Sequence, residues 1–181
     1  MSRLSKSGAP PDSGWIRAVL TQHERSLTLY ATRLLGDVER ARDVVQETFL
    51  RLCNQEREVV EAKVDVWLFT VCRNLCHDVF RKESRMTSLE DTKAEERSET
   101  AATPVQAAET RDSLSHILET MTFLPEKQQE VLRLKFQHGL SYQEISRVTQ
   151  ESIGNVGWLL HVGLKSLRER LATSEIQGAE A

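Results

Sequence analysis

LPEKQQEVLRLKF (residues 124–136), HGLSYQEIS (138–146) and ESIGNVGWLLHVGLKSLRERL (151–171) decide the fold class of the chain. In the first segment one apolar face recurs at helical spacing. It is formed by Gln129, Val131, Leu132, Leu134 and Phe136. His138 and Gly139 follow as a helix stop, because glycine readily adopts the left-handed conformation that ends a helix. We therefore predict a helix that ends shortly before Gly139.

The next two segments predict a short helix, a turn and a longer helix. Ser141 and Glu144 match a capping box, in which each side chain bonds the backbone N–H of the other residue. Residues 149–151 make the turn, and Ser152 is placed to cap the longer helix. The inner faces are formed by Ile145 and Val148, and by Val156, Leu160, Leu164, Leu167 and Leu171. This is a helix-turn-helix pattern, and its longer helix is the candidate DNA recognition helix.

The chain before residue 87 predicts three further helices, at residues 14–35, 37–53 and 65–85. Gly36 ends the first helix, and Asp37 caps the second. Their apolar faces are formed by Trp15, Val19, Leu27, Tyr30, Ala31 and Leu34; by Ala41, Val44, Val45, Thr48, Phe49 and Leu52; and by Trp67, Leu68, Val71, Cys72, Leu75 and Val79. Because Trp67 sits at apolar spacing, we expect it in the core and not as an exposed stacking platform.

The middle of the chain is acidic and poor in apolar residues. Between Thr87 and Thr110 there are six acidic and two basic residues. So little apolar surface does not offset the entropy of ordering a chain, which predicts a flexible linker. The prediction is an all-α protein of two small helical domains: a disordered N-terminal tail (1–13), a helical domain (14–86), the linker (87–110), a helix-turn-helix domain (111–172) and a disordered C-terminal tail (173–181).

Net charge and hydropathy limit how the chain could bind DNA and whether it could span a membrane. The chain has 24 Lys and Arg against 27 Asp and Glu, a net charge of -3. Neutralisation of phosphates by basic residues dominates the affinity of proteins for DNA. A DNA-binding protein with this net charge therefore either clusters its basic residues on one surface or relies on a larger partner for most of its DNA affinity. No apolar run approaches the ~20 residues that span a membrane, and the N-terminus has no signal-peptide core. We expect a cytoplasmic protein without membrane insertion.

The three cysteines do not suggest a disulfide framework. Cys72 and Cys76 are one helical turn apart, His77 follows, and Cys53 is a possible fourth metal ligand. Free cysteine is, however, among the most often buried residue types, and Cys72 and Cys76 lie on or beside an apolar stripe. We predict no metal and no cofactor. The sequence also contains no recognisable catalytic motif, so we predict that the protein is not an enzyme.

The order of these motifs resembles the small two-domain sigma factors of bacterial RNA polymerase, of the extracytoplasmic-function (ECF) type. The resemblance is carried by Tyr30-Ala31, Leu35-Gly36-Asp37, ARDVVQETFLRL (41–52), VWLFTVCRNLCHDVFRK (66–82), LPEKQQEVLRLKF and GLSYQEIS. It implies that residues 14–85 correspond to region 2, which binds the polymerase clamp and opens the minus-10 element. Residues 112–171 correspond to region 4, which reads the minus-35 element and sits on the polymerase flap.

The resemblance also implies site residues in region 2. The polymerase core-binding candidates are Arg42, Asp43, Gln46, Glu47 and Arg51, and the minus-10 DNA candidates are Arg73, Asn74, Asp78, Arg81 and Lys82. Spacing alone would make the core-binding set an ordinary solvated helix face. Residues 54–63 correspond to the loop that captures a flipped base, although this sequence matches no pattern there.

Region 4 departs from the family pattern. Relatives usually continue with Ser-x-Gly-Thr-Val-Lys-Ser-Arg, whereas this chain has Ser152-Ile-Gly-Asn-Val-Gly-Trp-Leu159 and lacks those basic residues. The minus-35 candidates are Ser141, Tyr142, Ser152, Gly154, Asn155, Trp158, His161 and Lys165. Asn155 suits adenine, and Ser152 at a helix N-terminus suits a phosphate.

Three apolar residues of the same helix lie off its inner stripe. We expect Trp158, Leu159 and Val162 to be exposed on or beside the DNA face, with the alternative that Trp158 folds back over the first helix of region 4. Gly157 and Gly163 each weaken a helix by roughly 1 kcal/mol relative to alanine.

The expected partners are the RNA polymerase core, through its beta-prime clamp and beta flap, and promoter DNA, with an anti-sigma factor as a further candidate. Two alternatives stay open from the sequence. A free-standing helix-turn-helix regulator would bind DNA without polymerase. A sigma-like adaptor would use Trp158 and Leu159 to bind a protein partner and would show no promoter preference.

Overall fold

The computed structural model describes residues 12–87 and 116–179, with side chains described for residues 12–83 and 116–173. Every regular element in those ranges is helical, and the chain divides into two compact units, which confirms the predicted all-α class and its two helical domains. The predicted linker after Thr87 and the N-terminal tail before Asp12 lie outside the described residues. None of the helices in the described ranges is long and apolar enough to cross a membrane.

Unit 1 is a bundle of three long helices. Its elements are α1 (Ser13–Leu35), α2 (Val38–Cys53), α3 (Arg57–Val60), one 3-10 turn (Glu61–Lys63) and α4 (Val64–Thr87). The helices α1, α2 and α4 pack against one another pairwise. Gly36 ends α1 with a left-handed φ of 70°. The Asp37 carboxylate then caps α2 by accepting hydrogen bonds from the backbone N–H of Glu39 (2.8 Å) and Arg40 (3.1 Å).

The core of unit 1 confirms the predicted inner face of α2. All six of its residues are buried: Ala41, Val44, Val45, Thr48, Phe49 and Leu52. Tyr30 of α1 packs edge-to-face on Phe69 of α4, with ring centroids 5.2 Å apart and planes at 87°. Phe69 was absent from the predicted face of α4, yet it is only 2% exposed.

The prediction that Trp67 belongs to the core is wrong, because its side chain is only half-buried. The line of α4 that is fully covered by α1 and α2 passes through Leu68, Cys72 and Cys76, each 0% exposed. Trp67 is one residue away from that line, about 100° around the helix from Leu68.

Unit 2 contains α5 (residues 116–122), α6 (Glu126–Phe136), α7 (Tyr142–Thr149) and α8 (Ile153–Ala179). The predicted stop after α6 is confirmed, since Gly139 has a φ of 69° and the Leu140 N–H donates to the Leu134 carbonyl at 3.1 Å. The capping box at Ser141 and Glu144 is present in both directions.

The turn and the start of the long helix also match their predictions. Gln150 ends α7 in the left-handed region, with a φ of 61°. The Asn155 N–H donates to the Ser152 Oγ at 3.1 Å, so Ser152 caps α8 as expected. Together, α7 and α8 form the predicted helix-turn-helix, with α6 packed against both helices.

Two predictions about the faces of unit 2 are wrong. Phe136 is 64% exposed, although its spacing assigned it to the inner face of α6. The Gln129 amide, two turns earlier on the same side, donates to the Thr122 and Leu124 carbonyls, and Phe136 lies beyond them at the end of the helix. Leu159 is 5% exposed and not on the surface, because it adjoins Leu160 on the covered side of α8.

The helix α8 continues to Ala179 and so includes the first residues of the tail that was predicted to start after residue 172. Residues 172–179 contain Ala, Glu and Gln, which favour helix, and no proline. The Thr173 hydroxyl donates to the Glu169 carbonyl at 2.9 Å within this extension.

Gly163 of α8 lies directly against α6. A Cβ at this position would lie 3.1 Å from Leu132 Cδ1 and 3.4 Å from Gln128 Cβ. Leu132 is only 2% exposed and has little room to move aside. Gly163 therefore permits close helix packing that a larger residue would force apart, which offsets its low helix propensity. At Gly157, by contrast, a Cβ would make ordinary contact with the Tyr142 ring at 3.7 Å.

These two glycines predict opposite responses to alanine. Gly157→Ala should stabilise unit 2 by up to about 1 kcal/mol, because it raises helix propensity without a clash. Gly163→Ala should gain nothing or lose stability, since the added methyl presses on Leu132. Urea unfolding followed by circular dichroism would measure both. Equal stabilisation by the two substitutions would contradict the close packing of α8 on α6.

Candidate functional site

The outer face of α2 carries the five residues that the sequence assigned to polymerase binding. Arg42, Asp43, Gln46 and Arg51 are exposed and Glu47 is half-buried, so all five reach the surface of unit 1. Two ion pairs order the face: Arg51 Nε to Glu47 Oε1 at 3.0 Å, and Arg42 Nη1 to Glu39 Oε1 at 2.5 Å. Leu50, which sequence reasoning missed, lies among them with 52% of its surface exposed. Its position outside the inner face of α2 could have predicted from the sequence that Leu50 is an exposed apolar residue.

The outer face of α4 carries the minus-10 candidates. Asn74, Arg81 and Lys82 are exposed, and Arg73 and Asp78 are half-buried. Helical spacing puts Asn74, Asp78 and Arg81 on one side of α4, with Arg73 and Lys82 on its two flanks. Arg81 pairs with Asp78. The half-buried Trp67 lies two turns before Asn74 on the same side, so aromatic surface borders this face.

The segment over residues 54–63 is more ordered than the predicted loop. It forms α3 and the 3-10 turn, and Arg57 holds it in place. Arg57 Nη1 lies 3.1 Å from Asp12 Oδ2, its Nη2 lies 2.6 Å from Glu61 Oε1, and its guanidinium lies 5.5 Å from the centre of the Trp15 ring. We call these contacts of Arg57 with Asp12, Glu61 and Trp15 the Arg57 joint. Sequence spacing could not predict it, because Asp12 and Arg57 are 45 residues apart.

The charges at this joint stabilise one another. The Trp15 backbone N–H is the main cause that lowers the pKa of the Asp12 carboxyl, and Arg57 lowers it further against the opposing effect of desolvation. The hydrogen bond to Glu61 is the main cause that raises the pKa of Arg57. Val60 is buried beneath the segment, whereas Val59 is 71% exposed at its surface.

The exposed side of α8 brings together most of the minus-35 candidates. Gly154, Asn155, Trp158, His161 and Lys165 follow one another at helical spacing on the side opposite the buried Val156, Leu160 and Leu167. The alternative in which Trp158 folds back over α6 is wrong, because its side chain is 58% exposed.

The turn between α7 and α8 orients Asn155. Its Nδ2 donates to Glu151 Oε2 at 2.7 Å, and Lys127 Nζ of α6 donates to the other oxygen of that carboxylate, also at 2.7 Å. The Ser146 hydroxyl donates to the Glu151 carbonyl at 2.6 Å. Glu151 therefore connects α6, α7 and α8 at the base of the exposed side of α8.

Ser141 and Tyr142, the other two candidates, lie at the start of α7. The Ser141 hydroxyl donates to Glu144 at 2.7 Å, so its proton is used within the capping box. Tyr142 is 44% exposed and lies beside Gly157 of α8, and Lys135 Nζ is 5.6 Å from the centre of its ring.

The cysteines do not converge on a metal site. Cys72 and Cys76 are buried in α4, whereas Cys53 is exposed at the end of α2. The hydrogen bond to Cys76 and burial together raise the pKa of the Cys72 thiol, which favours the protonated form over the thiolate that binds metals. Across residues 12–87 and 116–179 no group of three or more His, Cys, Asp or Glu side chains is placed to hold a metal ion.

Comparison with known proteins gives the same two regions. Residues 19–86 match the family model of sigma-70 region 2, and residues 116–167 match that of sigma-70 region 4. The chain is 30% identical over 171 residues to the ECF RNA polymerase sigma factor SigL of Mycobacterium tuberculosis, which covers 93% of this chain and 94% of that protein. The chain belongs to the ECF sigma factors.

One further relative and one solved structure are also similar to this chain. The ECF sigma factor EcfG of Rhodopseudomonas palustris is 31% identical over 72% of this chain and 71% of its own length. The crystal structure of the sigma factor RpoE from Bartonella quintana, solved in complex with the anti-sigma factor NepR, aligns with a TM-score of 0.66 over 86% of this chain and 96% of that chain. Its 22% sequence identity supports the fold alone.

Membership of the family establishes the general activity of the chain. It is a sigma factor that binds RNA polymerase and directs it to promoters. Unit 1 contains region 2, and unit 2 contains region 4.

The Arg57 joint predicts a local effect on α3. Arg57→Ala removes the contacts to Asp12, Glu61 and Trp15, so we expect faster amide hydrogen exchange over residues 54–63 and little change in α2. Arg25→Ala, at an exposed position of α1, is the control. Uniform loss of protection throughout unit 1 would show that Arg57 supports the whole bundle and not this segment alone.

Proposed function

We propose that unit 1 presents two different surfaces, with the outer face of α2 bound to the polymerase clamp and the outer face of α4 bound to the minus-10 strand. The observation that carries this proposal is that both faces are exposed while the same bundle buries the opposite sides of α2 and α4. Each face is therefore available without any unfolding of the core.

The outer face of α4 has the chemistry that an unstacked DNA strand requires. Proteins hold single strands with cationic side chains along the backbone and aromatic surfaces for the bases. Arg81 and Lys82 supply the cations, and the half-exposed Trp67 supplies aromatic surface at the other end of the face. The segment held by Arg57 precedes α4 directly, so we place base capture there, with Val59 and Glu58 at its surface.

We further propose that unit 2 reads the minus-35 element through α8 and binds the polymerase flap. The capped N-terminus of α8 suits a phosphate, and Asn155 lies in its first turn. An alternative is a sigma-like adaptor whose α8 binds a protein. It is favoured by one observation, the exposure of Trp158 on a side that has no Lys or Arg before Lys165.

The assignment extends to partners and location. RpoE of Bartonella quintana was solved with the anti-sigma factor NepR. An anti-sigma factor of this chain would cover exposed apolar residues such as Leu29, Val38 and Leu50 in region 2. We propose that the protein acts in the cytoplasm as an initiation factor without enzymatic activity of its own.

Promoter opening should depend on the end of the outer face of α4. Arg81→Ala with Lys82→Ala should leave core polymerase binding within about twofold and abolish open-complex formation, measured by permanganate reactivity of minus-10 thymines. The matched control is Arg17→Ala with Arg25→Ala, which removes two exposed cations from α1. Loss of core binding by the first pair would mean that this surface faces the polymerase and not the DNA.

Polymerase binding should depend on the outer face of α2. Asp43→Lys with Glu47→Lys reverses two charges there and breaks the Glu47 to Arg51 pair, so we expect at least tenfold weaker binding to core polymerase in a titration. Glu24→Lys, at an exposed position of α1, is the control and makes half of that change in net charge away from α2. Unchanged binding by the double variant would remove α2 from the clamp interface.

A further inference from the structure

We propose that Trp158 is a specificity-determining residue that contacts the C5-methyl group of a thymine, next to an adenine read by Asn155. The minus-35 element of this sigma factor would then be recognised mainly through A·T base pairs. The inference rests on the proposed function, because it assumes that α8 enters the major groove at minus-35.

The position of Trp158 fits a base-reading residue. A recognition helix contacts base edges with residues near its N-terminus. Trp158 is the sixth residue of α8, is 58% exposed, and shares its side of the helix with Asn155 and Lys165. Asn155 and Trp158 are three residues apart, about 4.5 Å along the helix axis. Neighbouring base pairs are ~3.4 Å apart along the DNA axis, so a separation of this size allows the two side chains to reach neighbouring pairs.

The chemistry of this side excludes the commonest contact to guanine. Arg or Lys usually reads guanine through its O6 and N7 atoms, and residues 153–160 contain neither. The groups that remain are an amide, which pairs with adenine, and an apolar aromatic surface, which suits the thymine methyl group. His161 and Lys165 follow about one and two turns after Trp158, where they would reach toward the DNA backbone.

Glycine leaves room for the indole against DNA. A helical side chain leans toward the turn that precedes it, and the residue one turn before Trp158 on the same side is Gly154. A Cβ at Gly154 would meet nothing within 4 Å, so packing within the chain does not require glycine there. No other part of the described chain covers Gly154, so in the proposed complex the base edges of the major groove would come close to the helix backbone there.

The Asn155 amide is held in a state that suits adenine. One N–H of its Nδ2 donates to Glu151, whose charge is balanced by Lys127. The second N–H and the Oδ1 stay unused by that bond. Those are the two groups that a bidentate contact to adenine N7 and N6 requires.

The test uses thymines that lack their methyl group. Reconstituted holoenzyme first selects minus-35 sequences from a randomised library upstream of a fixed minus-10 element. Each selected thymine is then replaced singly by deoxyuridine, and promoter binding is measured. At one position the wild type should bind about fourfold more weakly, the effect of losing one buried methyl group. Trp158→Ala should bind the thymine promoter about as weakly and should show no further loss with deoxyuridine.

Two variants control this comparison. Phe123→Ala removes another exposed aromatic side chain (66%) outside α8 and should keep full sensitivity to deoxyuridine. Trp158→Phe keeps an apolar ring and should retain part of that sensitivity, so it carries the test if Trp158→Ala folds poorly by circular dichroism.

The outcomes separate the two levels of the argument. If scrambling the minus-35 region changes nothing, the proposed function of α8 is wrong and this inference falls with it. If scrambling matters but no deoxyuridine substitution weakens the wild type, minus-35 reading stands and only the role of Trp158 is overturned. Promoter binding that Trp158→Ala leaves intact, with loss of a protein partner instead, overturns it in favour of the adaptor.

Discussion

The edge-to-face contact between Tyr30 and Phe69 fixes the orientation of α4, and the surfaces of region 2 depend on that orientation. A helix buries only one side in a three-helix bundle. Rotation of α4 about its own axis would therefore bury one set of residues and expose another. With Phe69, Cys72 and Cys76 inside, the outward side is defined by Asn74, Asp78 and Arg81. The residues that we propose to face DNA are thus set by aromatic packing on the opposite side of the helix.

Much of this architecture could be predicted from the sequence because its signals are local. Caps, stops and the inner stripe of α2 depend on residues within a few positions of one another, and Asp37, Gly139, Ser141 and Ser152 act as expected. The exposure of the polymerase-binding and DNA-binding candidates also followed from helical spacing. Their roles are supported by family resemblance and remain proposals.

The predictions that failed depended on contacts that periodicity does not contain. Trp67 and Phe69 are both apolar and two residues apart, and only the positions of α1 and α2 decide which of them is covered. The predictions for Phe136 and Leu159 are wrong for the same reason. Their exposure depends on where α6 ends and on which side of α8 packs against it, and both depend on tertiary packing. The Arg57 joint connects residues distant in sequence, so no local pattern pointed to it.

Glu151 gives the turn of the helix-turn-helix a second role. An acidic residue next to a surface that reads DNA, as we propose for α8, ordinarily repels phosphates. The Glu151 carboxylate is instead bound by Lys127 and Asn155, and the Glu151 backbone carbonyl accepts from the Ser146 hydroxyl. If Asn155 reads a base as proposed, its side chain would lose little conformational freedom on binding, because most of that freedom is already lost on folding. Such preorganisation acts chiefly on the lifetime of a complex and less on its rate of formation. In this sigma factor the turn would thereby set how long region 4 stays on a correct promoter.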